Sequence, residues 1–269
     1  MLPIFFIGFL ALNFLLLSSC KQNIVYSVLE IRPFAQDLNA KALEQIASLT
    51  PRDTFTIFAI ADTQIAYDEL RKFVNLVNKL PADSVAFVLH AGDITDYGTN
   101  MEFNYYYKQI EKIQRPVIAT IGNHDMLANG RTIFSKYIGP EDFSFSYGNT
   151  GFVVFNSNSR EVIFDGSVPN LSELESNSQA LSHMDNLIYL SHIAPVNTDF
   201  DLSMQEPLIS LMQQAPNARL SIHGHTHSYQ YEDYFNNGIM HLTVPTIRKN
   251  AFVKIDVKGQ NITVHEESF

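Results

Sequence analysis

Five times along the chain a short apolar run breaks off at a knot of polar side chains. Residues 55–61 end in Asp62-Thr63-Gln64, and residues 85–89 in His90-Ala91-Gly92-Asp93-Ile94-Thr95-Asp96. Residues 116–121 end in Gly122-Asn123-His124-Asp125, residues 187–190 in Ser191-His192, and residues 219–222 in His223-Gly224-His225-Thr226-His227. Apolar runs of this length, closed by polar and turn-forming residues, read as buried strands. Between the first two the spacing becomes helical, with Leu70, Phe73, Val74, Val77 and Leu80 over 67–80 and a stop at Pro81. Residues 101–113 give a second helix before the third run. Strand, helix, strand in this order implies parallel β-structure with crossover helices, so the fold class is α/β. In such sheets ligands bind beyond the carboxyl ends of the strands. The five polar groups are therefore expected to meet at one rim.

The remaining pattern is shorter. Residues 40–48 suit a brief helix, and 143–147 and 151–156 suit strands about a Gly148-Asn149 turn. Residues 171–181 and 203–214 read as helices. Short alternating runs at 229–234, 239–244, 251–257 and 261–265 read as antiparallel strands. The folded domain is expected over 53–269, with 21–52 as a tether leading into it.

Residues 2–19 are apolar except for Asn13 and the two serines before Cys20. Leu17-Ser18-Ser19-Cys20 resembles a bacterial lipoprotein signal. That implies removal of residues 1–19, acylation of Cys20 and an extracytoplasmic, membrane-anchored protein at the bacterial envelope. The positively charged start of an ordinary signal peptide is missing, and an uncleaved anchor helix is the alternative. Cys20 is the single cysteine, which excludes an intramolecular disulfide and thiolate metal sites. The net charge is −10, which argues against a sequence-independent grip on nucleic acid.

The rim offers imidazole, carboxylate and amide oxygen without sulfur, a set that suits zinc, iron or manganese. The ordered series Asp-x-Gln, Gly-Asp-x-x-Asp, Gly-Asn-His-Asp, a strand-end His and Gly-His-x-His resembles the calcineurin-like metallophosphoesterases over about residues 55–228. The resemblance implies a four-layer α/β/β/α sandwich of two mixed sheets and a pair of divalent metal ions. It puts one ion on Asp62, Gln64, Asp93 and His227. The other falls on Asp93, Asn123, His192 and His225, with Asp93 shared. It makes His124 the acid and phosphate contact, and Asp125 the residue that orients His124. Two cations about 3.5–4 Å apart make hydroxide available near neutral pH for attack on phosphorus. The implied substrate is a small phosphomonoester, phosphodiester or pyrophosphate; the oligomeric state stays open.

Gln64 departs from the family, whose first motif commonly has His there. An amide oxygen is a weaker, harder ligand than imidazole, so that site is expected to hold metal more loosely and to prefer manganese, magnesium or iron to zinc. Two rival readings remain: an envelope lipoprotein that has lost catalysis and keeps the fold as a binding module, and a nuclease. Other residues are expected to serve structure. Asp96 should brace its loop, while His90, His183, His223, His241 and His265 should be structural or solvent-facing. Arg131 should lie on the surface, and Tyr97, Phe134, Tyr137 and Phe145 should pack in the core.

Overall fold

The computed structural model describes residues 31–269; the expected leader, Cys20 and the first part of the tether lie outside the described residues. A helix, α1 (Leu38–Ser48), leads into β1 (Thr54–Ile60), whose side chains alternate between two cores. Phe55, Ile57 and Ala59 enter one core, and Phe58 and Ile60 the other. That is the period of a strand buried on both faces. α2 (Tyr67–Lys79), β2 (Val88–His90), α3 (Asn100–Ile110) and β3 (Val117–Ala119) follow. β1 pairs with β2 and β2 with β3, both parallel. α2 buries Leu70, Phe73, Val74 and Val77 on one stripe, with Asp68 and Glu69 in its first turn and Lys79 in its last, the order its dipole favours. α3 opens on a capping box between Thr99 and Glu102.

The chain continues through α4 (Gly130–Tyr137) and the hairpin β4 (Phe143–Tyr147) and β5 (Thr150–Val154). Then come α5 (Leu171–Ala180), β6 (Asn186–Leu190), α6 (Leu202–Gln214) and β7 (Ala218–His223). β8 (Gln230–Glu232), β9 (Met240–Thr243), β10 (Ala251–Lys258) and β11 (Asn261–Ser268) close it. One sheet has the order β11-β10-β1-β2-β3 and the other β4-β5-β6-β7-β9-β8. Both are mixed: β10 runs against β1, and β4 and β8 run against their neighbours.

The two sheets face each other across one apolar core that takes Ile57, Leu89, Phe152, Ile188, Leu220 and Val253. The outer face of the first sheet is covered by α2, α3 and α4 through Phe73, Phe103 and Phe134. α5 and α6 cover the second through Leu174, Leu208 and Met212. The described unit is the expected four-layer α/β/β/α sandwich.

Two expectations are corrected. β9 pairs antiparallel with β8 as expected but parallel with β7, and only the Tyr231 neighbourhood of 229–234 forms a strand. Short runs at a sheet margin carry no signal for strand direction. The tether is also shorter than expected. Ala42 and Ile46 of α1 are buried in the inter-sheet core, and Ile31, Ala35 and Leu38 pack on the helical core beside it. The amide of Asn39 pairs with Ala119 of the outermost strand β3 in both directions, at 2.8 and 2.9 Å, which satisfies backbone groups no other strand reaches. No helix among the described residues is long and apolar enough to cross a membrane.

Candidate metal centre

The polar groups following β1, β2, β3, β6 and β7 gather where both sheets present their carboxyl ends. The loops are laced together by their backbones. Asp62 N donates to Gly92 O, and Thr63 N and Gln64 N donate to Asp93 O, all within 3.1 Å. Asp62, Asp93, His225 and His227 have φ of 53°, 58°, 73° and 60°. Left-handed backbone is uncommon outside glycine and costs about 1–3 kcal/mol per residue, and it concentrates where function requires it. Glycine makes the necessary room. A Cβ at Gly122 would stand 2.2 Å from Asp93 Oδ1, and one at Gly92 would stand 2.6 Å from His192 Nδ1.

Asp93 lies at the middle. Its Oδ1 is 3.3 Å from His192 Nε2 and accepts a 3.0 Å hydrogen bond from His124 N. Its Oδ2 accepts from Gln64 Nε2 at 3.2 Å. Asn123 Oδ1 is 3.0 Å from both His192 Nε2 and His225 Nδ1. Asp62 Oδ1 accepts from His225 N at 3.2 Å and lies 3.6 Å from His227 Nε2. Ligand atoms of Asp93, His192 and His225 lie within 4.8 Å of one another, and so do those of Asp62, Asp93 and His227. Asp93 belongs to both groups.

The donor set fits a pair of divalent cations. Asp62 Oδ2 and Gln64 Oε1 are buried without a hydrogen-bond partner. Such orphaned acceptors are costly, and a cation removes the cost. Charge is strained in the same sense. Burial pushes the Asp62 carboxyl well above the usual carboxylate range. Burial also opposes ionisation of Asp93, but the charges and hydrogen bonds of His192 and His124 together outweigh it and hold that carboxyl low. His192 is carried up to about 9, its burial overcome mainly by Asp93. Burial, with help from the His192 charge, takes His225 down to about 4.

The supporting contacts differ from expectation at one residue. Asp125 does not orient His124. Its oxygens are taken by Ile94 N, Thr95 N, Thr95 Oγ1 and Gly122 N, at 2.8–3.1 Å. It clamps the Asp93 loop to the Gly122 loop, because a buried carboxylate surrounded by backbone N–H groups binds those first. The group on His124 Nδ1 is the carbonyl oxygen of Asp96, 2.8 Å away. His192 Nδ1 donates to Ala91 O at 2.6 Å, which turns Nε2 inward. His225 Nε2 is 3.2 Å from Asp199 Oδ2, and Asp199 Oδ1 accepts from Arg160 at 2.9 Å. Asp199 and Arg160 carried no signal in the sequence: one lies in an irregular loop and the other in a single 3-10 turn, Ser159–Val162, outside any motif.

His90, His223 and His241 are buried; His223 and His241 stack with their planes 6° apart. Arg131 makes a two-pronged pair with Glu141. Phe134 and Tyr137 are core residues, and Phe145 stacks on Phe152. Tyr97 is the exception: it is 64% exposed, because its loop turns outward to deliver the Asp96 carbonyl to His124.

The sequence model of a family described as calcineurin-like phosphoesterase matches residues 55–229. A probable cyclic nucleotide phosphodiesterase from Ruthia magnifica subsp. Calyptogena magnifica is 25% identical over 193 residues, 66% of this chain and 75% of that protein. Among solved structures, a dimetal phosphatase from Danio rerio superposes with a TM-score of 0.65 at 17% identity, over 81% of this chain and 97% of the other. An anchor of the inner membrane complex of Plasmodium gives a TM-score of 0.56 at 12% identity, over 80% and 84%. These two likenesses establish the shared fold.

Proposed function

The chain belongs to the calcineurin-like phosphoesterase family and is a phosphoester hydrolase; from that premise we propose that it uses two divalent cations and that its reaction takes place at the bacterial envelope. The observation that carries the two-metal reading is the doubled ligand cluster sharing Asp93, with the orphaned oxygens of Asp62 and Gln64 beside it. Asp62, Gln64, Asp93 and His227 would hold one cation, and Asp93, Asn123, His192 and His225 the other. When bound, such a pair activates a water and draws charge from phosphoryl oxygens.

The chain's own groups do the rest. His124 keeps Nδ1 on the Asp96 carbonyl, which leaves Nε2 as the nitrogen that contacts phosphate and protonates the departing oxygen. Asp125 holds the two loops in register, so that His124 and Asp93 stay at a fixed separation. The amide oxygen of Gln64 favours manganese or iron over zinc at its centre.

The substrate is a phosphate ester small enough to reach these side chains. A phosphodiester leads the candidates, since the curated relative is a probable cyclic nucleotide phosphodiesterase. The apolar stretch 2–19 ahead of Cys20 supports acylation of Cys20 and an envelope location outside the cytoplasm. Turnover of p-nitrophenyl and bis-p-nitrophenyl phosphate with added manganese tests the catalytic reading. Folded protein that turns over neither ester with any divalent ion would make it a binding module.

A further inference from the structure

Several loops that carry the metal centre also expose large apolar side chains. Ile65, directly after Gln64, is 57% exposed, and Tyr97, directly after Asp96, is 64% exposed. Met101 continues the series at 59%, and Tyr105 lies one turn further along α3. Met101 and Tyr105, four apart on α3, share one side, and Tyr97 lies in the loop that leads into that helix. The Tyr105 ring is 6.0 Å from that of Tyr67, which ties this stripe to the loop of Ile65. On another loop, Ile163 is 87% exposed with a φ of 59°. A β-branched residue is a true outlier there, so the fold tolerates strain to present an isoleucine to solvent. Its segment begins at Arg160, which reaches the centre through Asp199 and His225.

The described chain also enters at this collar. Arg32 N donates to Asn100 Oδ1, and Phe34 N to Asn104 Oδ1, both on α3. Lys108 Nζ lies 5.5 Å from the Phe34 ring centre and 5.6 Å from that of Tyr105. The described chain therefore begins beside α3, and the apolar run 2–19 lies ahead of it in the sequence. Tyrosines with a lysine at their border are the side chains that membrane interfaces collect.

We propose that this collar seats the mouth of the metal centre on a lipid bilayer, and that the ester hydrolysed there is an amphipathic phosphate resident in that bilayer. The proposal rests on the hydrolase reading above and names its substrate class. The net charge of −10 disfavours strongly anionic surfaces, so the contact is apolar insertion into a neutral bilayer.

The chain has no tryptophan, so single replacements report insertion directly. In full-length chain bound to phosphatidylcholine vesicles, Tyr97→Trp and Ile163→Trp fluorescence should shift to the blue and be quenched by brominated lipid. Gln260→Trp should show neither, because the 259–260 turn lies at the opposite end of β1 and β10. The full-length chain should cleave a vesicle-borne p-nitrophenyl hexadecyl phosphodiester faster than p-nitrophenyl methyl phosphate. The pair Tyr97→Ser and Met101→Ser should cut that preference about tenfold, given the apolar area removed, and leave the methyl ester unaffected. Unquenched Tyr97→Trp chain, or turnover of soluble esters with no gain from the hexadecyl tail, overturns the proposal and leaves the hydrolase reading standing. Quenching with no turnover of any ester overturns the hydrolase reading and the substrate class with it, and leaves only the seat on the bilayer.

Discussion

At Asp93 a single carboxylate faces both ligand groups, with one oxygen toward His192 and the other toward Gln64. Asp93→Ala should therefore empty both centres together, read as loss of both equivalents of metal by elemental analysis and loss of turnover. His124→Ala should keep its metal and lose about 10²–10⁴-fold in rate on alkyl esters, with a much smaller loss on p-nitrophenyl esters, whose leaving group needs no proton. Equal losses on the two would remove the acid role. Asp199→Asn leaves the His225 ring without its carboxylate and should weaken manganese binding about 10–100-fold, measured by calorimetry on metal-free protein. The seven clustered side chains were legible in the sequence, because each stands at the end of an apolar run and the topology does the gathering. Asp199 was not, since its meeting with His225 depends on how two irregular loops lie. The role of Asp125 was hidden for a related reason: adjacency to His124 in sequence places it near the imidazole, while its carboxylate turns toward three donors on the Ile94–Thr95 loop and the Gly122 N–H of its own.

Among the elements, the helical and central strand assignments followed from periodicity. The packing of α1 and the parallel pairing of β9 with β7 did not, and both have one cause. An amphipathic helix of eleven residues or a strand of four takes its place from what it packs against. Ile46 is buried between the sheets, so Ile46→Ala should cost about 2–5 kcal/mol in denaturant unfolding; an unchanged midpoint would return α1 to the tether. The hairpin at Asp142 carries a pH signature. Burial raises the Asp142 carboxyl from 3.8 to about 6, so between these values the folded chain binds more protons than the unfolded one. Stability falls as pH rises through that window. Asp142→Asn keeps a carbonyl oxygen for the bond from Asn156 N and should flatten the fall, gaining about 1–3 kcal/mol at pH 7.

For the molecule as a whole, alternation of strand and helix revealed an α/β protein, but the two-sheet sandwich came from family resemblance. Periodicity cannot say that residues on β1 and β6 face each other across one core. The envelope assignment has its own test at this scale. Cys20→Ala should abolish incorporation of labelled fatty acid and release the chain from the membrane fraction; retention of label would place the lipid elsewhere. One earlier detail reaches furthest. Asn39 occupies the backbone of Ala119 on an otherwise open strand, four residues ahead of Asn123. A protease that trims the chain to Asp37 should leave the association state unchanged, whereas a cut past Asn39 bares a ribbon ready to zip onto a second copy. Preparations clipped past Asn39 should accordingly run as larger species than the intact chain in size-exclusion chromatography, joined beside the loop that carries Asn123.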